Sequence, residues 1–396
     1  MNMNEQMKES EESILHTYNR FPVVFEKGQG CYLYDSEGKE YLDFAAGIAV
    51  NSLGYHYPGY DEALKDQIDK LMHISNLYYN EPIIEAGAKL VKASKMSKAF
   101  FTNSGTEAIE GALKAAKKYA YVRDGHADHE IIAMNHSFHG RSIGALSVTG
   151  NAHYREPFEP LMGGVRFADF NDLESVKAQI TDKTCAIITE VVQGEGGIYP
   201  AKKEFLEGLR QICDEKDIML IFDEIQCGMG RTGHYFAWQA YGVQPDIMTS
   251  AKALGCGVPV GAFVLNEKAA KASLEPGDHG TTYGGNPFVC AAVSKVFDIY
   301  ENDKIIEHVQ EMTPYLEQKL DEIVAKHECA ATRRGMGFMQ GIVIQGRPVG
   351  EVVKAALAKG LLVISAGSDV LRIVPPLVIT KEHIDKMAAI LDECME

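Results

Sequence analysis

The sequence predicts an α/β protein with a large domain, built on a mostly parallel sheet, and a smaller α+β domain at its C-terminal side. Short apolar runs alternate with helical stretches from about residue 99 to residue 222, as in parallel sheets covered by helices on both faces. After residue 290 a long helical pattern precedes mixed short strands. The chain of 396 residues is also too long for one compact core, so two domains are expected.

The first expected elements are a hairpin and two helices. Residues 30–44 alternate apolar and polar side chains around a turn at 36–38, which is typical of a hairpin. From about residue 61 the pattern becomes helical, with Ile68 and Leu71 on its apolar face, and residues 82–95 repeat it.

The remaining elements fill the two domains in turn. Strands are expected at residues 99–102, 131–134, 145–148, 185–191 and 218–222, with helices at 106–121 and 204–216. After these come a helical stretch at 288–327, strands at 338–345 and 361–364, and a helix near 381–394. We place an N-terminal segment at 1–55, packed beside the small domain, a large domain at 56–290 and a small domain at 291–396.

Composition and charge exclude several classes of function. Hydrophobic residues make up 46% and charged residues 24% of the chain, as in soluble globular proteins. The net charge of −16 argues against nucleic acid or an anionic membrane as a partner. The eight cysteines show no CxxC or His/Cys ligand spacing, so we expect neither a metal site nor disulfides. The polar start and the lack of a long apolar run predict a cytoplasmic protein.

Lys252 and Asp223 carry the strongest chemical signal. Asp223 follows the buried apolar run 218–222, at the strand end where α/β sheets bind ligands. Lys252 lies in a glycine-rich stretch with few charges, where burial would lower its pKa and make its amine nucleophilic. A lysine that forms a Schiff base and an aspartate that holds a pyridinium proton indicate a pyridoxal phosphate enzyme. An acid at a strand end with an unrelated surface lysine remains the alternative.

A phosphate-binding turn is expected at Ser104-Gly105-Thr106. These residues join strand 99–102 to helix 106–121, so backbone amides and hydroxyl groups gather at the positive end of the helix. An ordinary capped helix would show the same residues.

Phe138 and Arg141 lie within the segment SFHGR. The phenyl ring can stack on a planar cofactor, and the guanidinium group can bind a carboxylate through two hydrogen bonds. A core phenylalanine beside a surface arginine is the alternative.

Two acids, Glu190 and Glu195, follow another apolar run, and Arg372 lies among apolar residues far along the chain. A buried arginine without an acid would be very unfavourable, so a pairing with these glutamates is expected. The loop 277–287 is rich in glycine and hydroxyl groups, and its Thr282 is a candidate second phosphate ligand, although the loop can also be plain surface.

Taken together, the motifs resemble those of the class III aminotransferases, which belong to the pyridoxal phosphate fold-type I superfamily. The resemblance covers about residues 14–394 and is strongest to family members that act on N-acetylornithine. It rests on seven segments in the family's order: FFTNSGTEAIEGALKAAKKYA, SFHGR, EVVQGEGGI, DEIQCGMGRTG, SAKALGCGVPVGAF, GDHGTTYGGNP and LRIVPPL. It implies a seven-stranded sheet in the large domain.

The resemblance also implies residue roles. Lys252 would hold pyridoxal phosphate and move a proton, Asp223 would pair with the pyridine nitrogen, and Gln226 would reach the phenolic oxygen. Phe138 would stack on the ring, and the phosphate would be bound by Gly105, Thr106 and, from the neighbouring subunit of a homodimer, Thr282.

For the substrates, the resemblance implies that Arg141, with Thr281 nearby, binds the α-carboxylate of N-acetylornithine. Arg372 would bind the α-carboxylate of glutamate or 2-oxoglutarate, and Glu195 would neutralise Arg372 when the donor reacts through its side-chain amine. The family commonly has histidines at Tyr55 and Tyr57.

The expected reaction is transamination of N-acetylornithine with 2-oxoglutarate, and N-succinyl-diaminopimelate is a possible further donor. Ornithine, 4-aminobutyrate and succinyl-diaminopimelate aminotransferases remain alternatives within the class. An aminomutase would need no separate glutamate site, so the combination of Arg372 and Glu195 argues against it. A binding protein without turnover would normally have lost Lys252 or Asp223.

Overall fold

The computed structural model describes residues 2–396 and contains a seven-stranded sheet, two four-stranded sheets and a two-stranded ribbon. The strands are β1 (Phe25–Gln29), β2 (Tyr32–Asp35), β3 (Glu40–Asp43), β4 (Lys98–Thr102), β5 (Glu130–Met134), β6 (Val165–Ala168), β7 (Thr184–Glu190), β8 (Val192–Gln193), β9 (Tyr199–Pro200), β10 (Met219–Asp223), β11 (Ile247–Ser250), β12 (Gly261–Leu265), β13 (Ala330–Met336), β14 (Met339–Ile344), β15 (Leu361–Leu362), β16 (Ile364–Ala366) and β17 (Val370–Ile373).

The helices are α1 (Met3–Ser13), α2 (Ala46–Ala49), α3 (Tyr60–Lys70), α4 (Glu81–Ser94), α5 (Gly105–Asp124), α6 (Ile143–Ser147), α7 (Ala152–Arg155), α8 (Leu173–Gln179), α9 (Lys203–Lys216), α10 (Trp238–Tyr241), α11 (Glu267–Ala272), α12 (Pro287–Asn302), α13 (Ile305–Lys326), α14 (Val349–Ala358) and α15 (Lys381–Met395). Two short 3-10 turns lie at Glu156–Phe158 and Lys252–Leu254.

The seven-stranded sheet has the order β4-β12-β11-β10-β7-β5-β6. Only β12 runs antiparallel to its neighbours, which confirms the expected mostly parallel sheet. Every residue of β7 and β10 is buried, because helices cover both faces. The carboxyl ends of the parallel strands therefore meet at one edge, where ligands bind in such sheets.

Helix α5 packs closely on this sheet. Its alanines and Ile109 are buried, and Gly111 allows the helix backbone to approach the ring of Phe263 on β12. A Cβ atom at Gly111 would lie 2.2 Å from that ring, so a larger residue would push the helix away. The N-terminus of α5 is thereby held against the sheet.

The N-terminal strands join the C-terminal part of the chain. Strands β1, β2 and β3 form a sheet with β15, in which Leu42 pairs with Leu361 in parallel. The hairpin expected at residues 30–44 is confirmed as β2 and β3. The other sheet has the order β13-β14-β17-β16 and brings Arg372 on β17 toward the large sheet. The division into domains at residues 55 and 290 stays a prediction, which this pairing supports.

Two of the expected elements were wrong. Residues 145–147 are not a strand but the end of helix α6, and Val148 follows it. The Ser147 hydroxyl donates to the Ile143 carbonyl, and the Glu110 carboxylate accepts the Ala145 amide. A short apolar run does not distinguish a buried strand from a buried helix. The long helix expected over 288–327 is two helices, α12 and α13, because Lys304 turns the chain with φ 53°.

Helix α3 forms where it was expected and packs on α12, but part of its expected apolar face stays exposed. Ile68 is 47% and Leu71 43% exposed. Within residues 2–396, no helix combines the length and the apolar character needed to cross a membrane.

Candidate active site

Three ionisable side chains, those of Glu190, Asp223 and Lys252, meet at the carboxyl edge of the large sheet. Asp223 pairs in register with Glu190 on β7 and with Thr249 on β11, and Lys252 follows β11 by two residues. Backbone pairing therefore sets the spacing of these side chains.

A cavity of about 500 Å³ opens at this edge. It brings together seven of the residues expected from the sequence: Gly105, Thr106, Phe138, Arg141, Asp223, Gln226 and Lys252. It is also lined by residues to which the sequence assigned no role, among them Val50, Asn103, His139 and Ile225.

Lys252 has no hydrogen-bond or ion-pair partner among residues 2–396. Burial lowers the pKa of its amine, and the nearby charge of Arg372 lowers it further, although Glu195 and Asp223 act in the opposite direction. Its backbone is left-handed, with φ 49°. A neutral amine can act as a nucleophile and can accept or return a proton.

Asp223 is held in one orientation by three contacts. Its Oδ2 lies 2.7 Å from His139 Nδ1, and its Oδ1 accepts the Ile225 amide at 3.0 Å and the Thr249 hydroxyl at 3.3 Å. Both Asp223 and His139 are almost fully buried, and His139 Nε2 has no partner among the described residues. His139 was missed from the sequence, where its position beside Phe138 in SFHGR was the only available signal.

Glu190 does not pair with a basic residue, contrary to expectation. Its carboxyl group accepts the amides of Phe138 at 3.3 Å and of Gly194 at 3.2 Å. Burial raises its pKa, and the charge of Asp223 raises it further. Glu190 therefore links the Phe138 loop to the turn that precedes Glu195.

The N-terminus of α5 lies at the turn where the sequence predicted an anion-binding site. The Ser104 hydroxyl caps the helix by accepting the Glu107 amide, and Thr106 Oγ1 lies 2.8 Å from Ser142 Oγ. A Cβ atom at Gly105 would lie 2.9 Å from Ile225, so glycine keeps this end of the cavity open. A phosphate group fits such a helix end.

Arg372 and Glu195 form the ion pair expected from the sequence. Arg372 is 3% exposed; its Nη1 donates to Glu195 Oε1 at 2.5 Å and to Gln226 Oε1 at 3.0 Å. Although burial alone would raise the pKa of Glu195, the charge and hydrogen bonds of Arg372 hold it below its usual value. Arg372 Nε is buried and has no acceptor among the described residues.

Arg141 is exposed and forms no ion pair within residues 2–396, so its charge is available to a carboxylate. Its guanidinium group stacks on the ring of Tyr154 at 4.0 Å and lies 5.5 Å from the ring of Phe138. These contacts restrain a side chain that has no other partner among the described residues. Tyr154 was also missed from the sequence, where nothing connected it to Arg141.

Thr281 and Thr282 do not line this cavity. Thr281 Oγ1 accepts hydrogen bonds from Asn103 Nδ2 at 3.2 Å and from the Gly284 amide at 3.1 Å, whereas Thr282 is exposed. Tyr55 and Tyr57 also lie outside it: Tyr55 donates to the buried Asp43 and Tyr57 to Asp303.

The cavity fits pyridoxal phosphate. The helix end suits the phosphate, the fixed carboxylate of Asp223 suits a protonated ring nitrogen, and the free amine of Lys252 suits an aldehyde. Apolar walls from Val258 and Val260 match a planar ring.

Comparisons with known proteins agree with this chemistry. The family model described as aminotransferase class-III matches residues 14–395. An acetylornithine aminotransferase from Clostridium acetobutylicum is 47% identical, over 98% of this chain and all of that protein. A succinylornithine transaminase from Yersinia pseudotuberculosis is 44% identical, over 94% of this chain and 92% of the other. Among solved structures, an ornithine aminotransferase from Toxoplasma gondii, described with partial occupancy of pyridoxal phosphate, superposes with a TM-score of 0.95 at 28% identity, covering 100% of this chain and 94% of that one.

Proposed function

The chain belongs to the class III aminotransferases, and from that premise we propose that it transfers the side-chain amino group of N-acetylornithine to 2-oxoglutarate. The products are N-acetylglutamate 5-semialdehyde and glutamate. Its cofactor is pyridoxal phosphate, which supplies an aldehyde that takes up the amino group and a protonated ring that draws electrons from the reacting carbon.

The ion pair between Arg372 and Glu195 is the observation that carries this proposal. The carbon that bears the reacting amine of N-acetylornithine has no carboxylate, so a free Arg372 would be left buried and unpaired. Glu195 supplies the missing charge at 2.5 Å. Glutamate and 2-oxoglutarate have a carboxylate at the reacting carbon, and this group can replace Glu195 on Arg372.

The other residues have complementary proposed roles. Lys252 holds the cofactor and moves the proton at the reacting carbon, Asp223 keeps the ring nitrogen protonated, and Gln226 reaches the phenolic oxygen. Phe138 contacts the ring, while Gly105 and Thr106 bind the phosphate. Arg141, with Thr281 nearby, binds the α-carboxylate of the donor.

A homodimer that shares its active sites is part of the proposal. Large apolar side chains stay exposed in the segment that precedes α4, including Met72, Leu77 and Tyr79. Asn76 in this segment donates to the Gly284 carbonyl, beside the loop that carries Thr282. Several large exposed apolar side chains in one segment are typical of a protein interface, and Thr282 would reach the phosphate of the neighbouring subunit.

Mixing two defective variants tests the shared site. Lys252→Ala removes the amine, and Thr282→Asp would place a negative charge beside the partner's phosphate. If the site is shared, a mixed dimer contains one intact site, with Lys252 from one variant and Thr282 from the other. Mixed dimers should then regain the cofactor absorbance and about half of the wild-type activity. If Thr282 serves its own subunit, no intact site forms.

Steady-state kinetics test the reaction itself. Initial rates with N-acetylornithine and 2-oxoglutarate should give parallel double-reciprocal lines, because the two substrates use the site in turn. Ornithine and 4-aminobutyrate should react at least about tenfold less efficiently, since they lack the acyl group or the α-carboxylate. Higher efficiency with either of them would assign the protein to another member of the class.

A further inference from the structure

A second cavity adjoins the active site and has no role in the functions described above. Its volume is about 840 Å³, and it shares Phe138 with the cofactor cavity. Tyr154, which stacks on Arg141, and Glu195, which pairs with Arg372, both line it.

The position of this cavity matches one part of the proposed donor. With the α-carboxylate of an acylornithine on Arg141, the acyl group on the same α-carbon lies beside the guanidinium group. Tyr154 covers that guanidinium group at 4.0 Å and also lines the second cavity.

The charges of the cavity wall are one-sided. Asp169 and Asp369 line it, and neither forms an ion pair within residues 2–396. Asp169 accepts a hydrogen bond from Asn135 at 2.6 Å, and Asp369 accepts one from Ser368 at 3.4 Å. In the part of the chain that the structure describes, no lysine or arginine lines this cavity, and His136 is its one potentially cationic group.

The cations that flank the cavity have other contacts or other proposed roles. Arg372 pairs with Glu195, and Arg141 stacks on Tyr154 and is assigned to the α-carboxylate of the donor. Arg334 stacks on the ring of Tyr199, a wall residue, at 3.6 Å, and its Nε donates to the Gly197 carbonyl at 2.7 Å. The remaining polar wall groups are neutral amides and hydroxyls, including Asn151, Gln193 and Ser365. Such groups can bind an amide carbonyl but do not offset a carboxylate.

We infer that this cavity receives the N-acyl group of the donor, and that Asp169 and Asp369 select neutral acyl groups such as acetyl over acidic ones such as succinyl. The inference rests on the proposed function. An acyl carboxylate would be repelled by the two unpaired aspartates, whereas an acetyl group has no charge for them to repel and can bind the neutral amides and hydroxyls of the wall.

The test compares kcat/KM for N-acetylornithine and N-succinylornithine in the holoenzyme. The wild-type protein should prefer the acetyl compound by at least about tenfold. Asp169→Asn and Asp369→Asn should each raise kcat/KM for the succinyl compound, relative to that for the acetyl compound, about three- to fivefold. Asp182→Asn, which removes an exposed acid outside both cavities, is the control for net charge and should change neither value.

Salt supplies a readout that needs no variant. Because exposed charges are screened, the discrimination should fall severalfold between about 0.02 M and 0.5 M salt. Equal use of both compounds by the wild-type protein, or selectivity insensitive to salt and to both substitutions, would overturn the inference while the proposed function stands. If neither acylornithine reacts although 2-oxoglutarate and glutamate do, the proposed function fails, and the inference fails with it.

Discussion

The two halves of the active site are built on different kinds of structure. In the cofactor half, Glu190, Asp223 and Lys252 stand on or directly after three adjacent strands of one parallel sheet. In the substrate half, Arg141 and Glu195 lie on loops, and Arg372 comes from a different sheet. In the first half, Glu190 and Asp223 have fixed hydrogen-bond partners. In the second, Arg141 has no ion pair among the described residues, and the ion pair of Arg372 with Glu195 joins a strand to a loop.

This difference matches the chemical demands on each half. A ring nitrogen and an aldehyde require one geometry throughout, and paired strands with buried hydrogen bonds provide it. Two substrates that differ at the reacting carbon require two charge patterns in turn, and an ion pair on separate elements can be exchanged. Substitutions in the cofactor half should therefore affect both half-reactions alike, and those in the substrate half only one.

The largest effect is expected in the cofactor half, at Lys252. Lys252→Ala should lower turnover at least about 10⁴-fold with either substrate, because its amine is the only proton-transfer group proposed at the reacting carbon. Single-turnover absorbance with each substrate measures this loss. Lys271→Ala, an exposed lysine on α11, is the control. A loss confined to one substrate would break the comparison between the halves.

A large but one-sided effect is expected at Arg372. Arg372→Leu should raise KM for 2-oxoglutarate about 100-fold or more, because a buried charge-assisted contact is lost. The half-reaction with N-acetylornithine should change less than about tenfold, since the donor does not need this charge. Rapid-mixing measurements of each half-reaction separate the two.

Glu195→Gln should reverse this selectivity. Without the carboxylate, Arg372 stays charged and unpaired when the amine donor is bound, so the N-acetylornithine half-reaction should slow about 10- to 100-fold. The 2-oxoglutarate half-reaction should keep most of its rate. Equal losses in both half-reactions would show that the ion pair is only structural.

A smaller effect is expected at Tyr154. Tyr154→Ala should raise KM for N-acetylornithine about five- to tenfold with little change in kcat, because the stacking that restrains Arg141 is lost. Tyr154→Phe keeps the ring and should restore the wild-type value. KM for 2-oxoglutarate serves as the internal control, and a parallel rise in it would argue against a role confined to the donor.

The smallest effect concerns stability rather than rate. The pKa of Lys252 in the folded chain is below its ordinary value of 10.5. At a pH between the folded and the unfolded pKa, the amine is therefore protonated in the unfolded chain and neutral in the folded chain. The free energy of unfolding of the apoprotein therefore rises with pH through this window. Lys252→Met removes this dependence.

Urea unfolding of the two apoproteins checks this expectation. The free energy of unfolding of Lys252→Met, minus that of the wild-type apoprotein, should be largest at the lower end of this pH window. The difference should decline as pH approaches 10.5. A difference that does not vary with pH would contradict the lowered pKa.

The sequence predicted the cofactor half better than its surroundings. Asp223 and Lys252 stood out because charged groups beside buried strands are unusual, and the mostly parallel sheet follows from alternating strands and helices. Strands β11 and β12, which flank Lys252, were missed, although β12 is the one antiparallel strand of the sheet. Residues 145–148 were assigned to a strand because their apolar pattern is too short to show its period.

Contacts between distant segments were harder to predict. The pairing of Arg372 with Glu195 was expected because a buried arginine needs an acid, but the same argument wrongly included Glu190. Backbone amides satisfy Glu190, and only the folded loop reveals them. The stacking of Tyr154 on Arg141 depends on where α7 packs, which no local pattern encodes.

The most direct test of the central claim is the absorbance of the protein purified with pyridoxal phosphate during two successive additions. N-acetylornithine alone should remove the band of the bound cofactor, and 2-oxoglutarate should then restore it. That result requires one site that accepts both N-acetylornithine, whose reacting carbon has no carboxylate, and 2-oxoglutarate, whose reacting carbon has one. A band that N-acetylornithine leaves unchanged, while ornithine or 4-aminobutyrate removes it, would contradict the account.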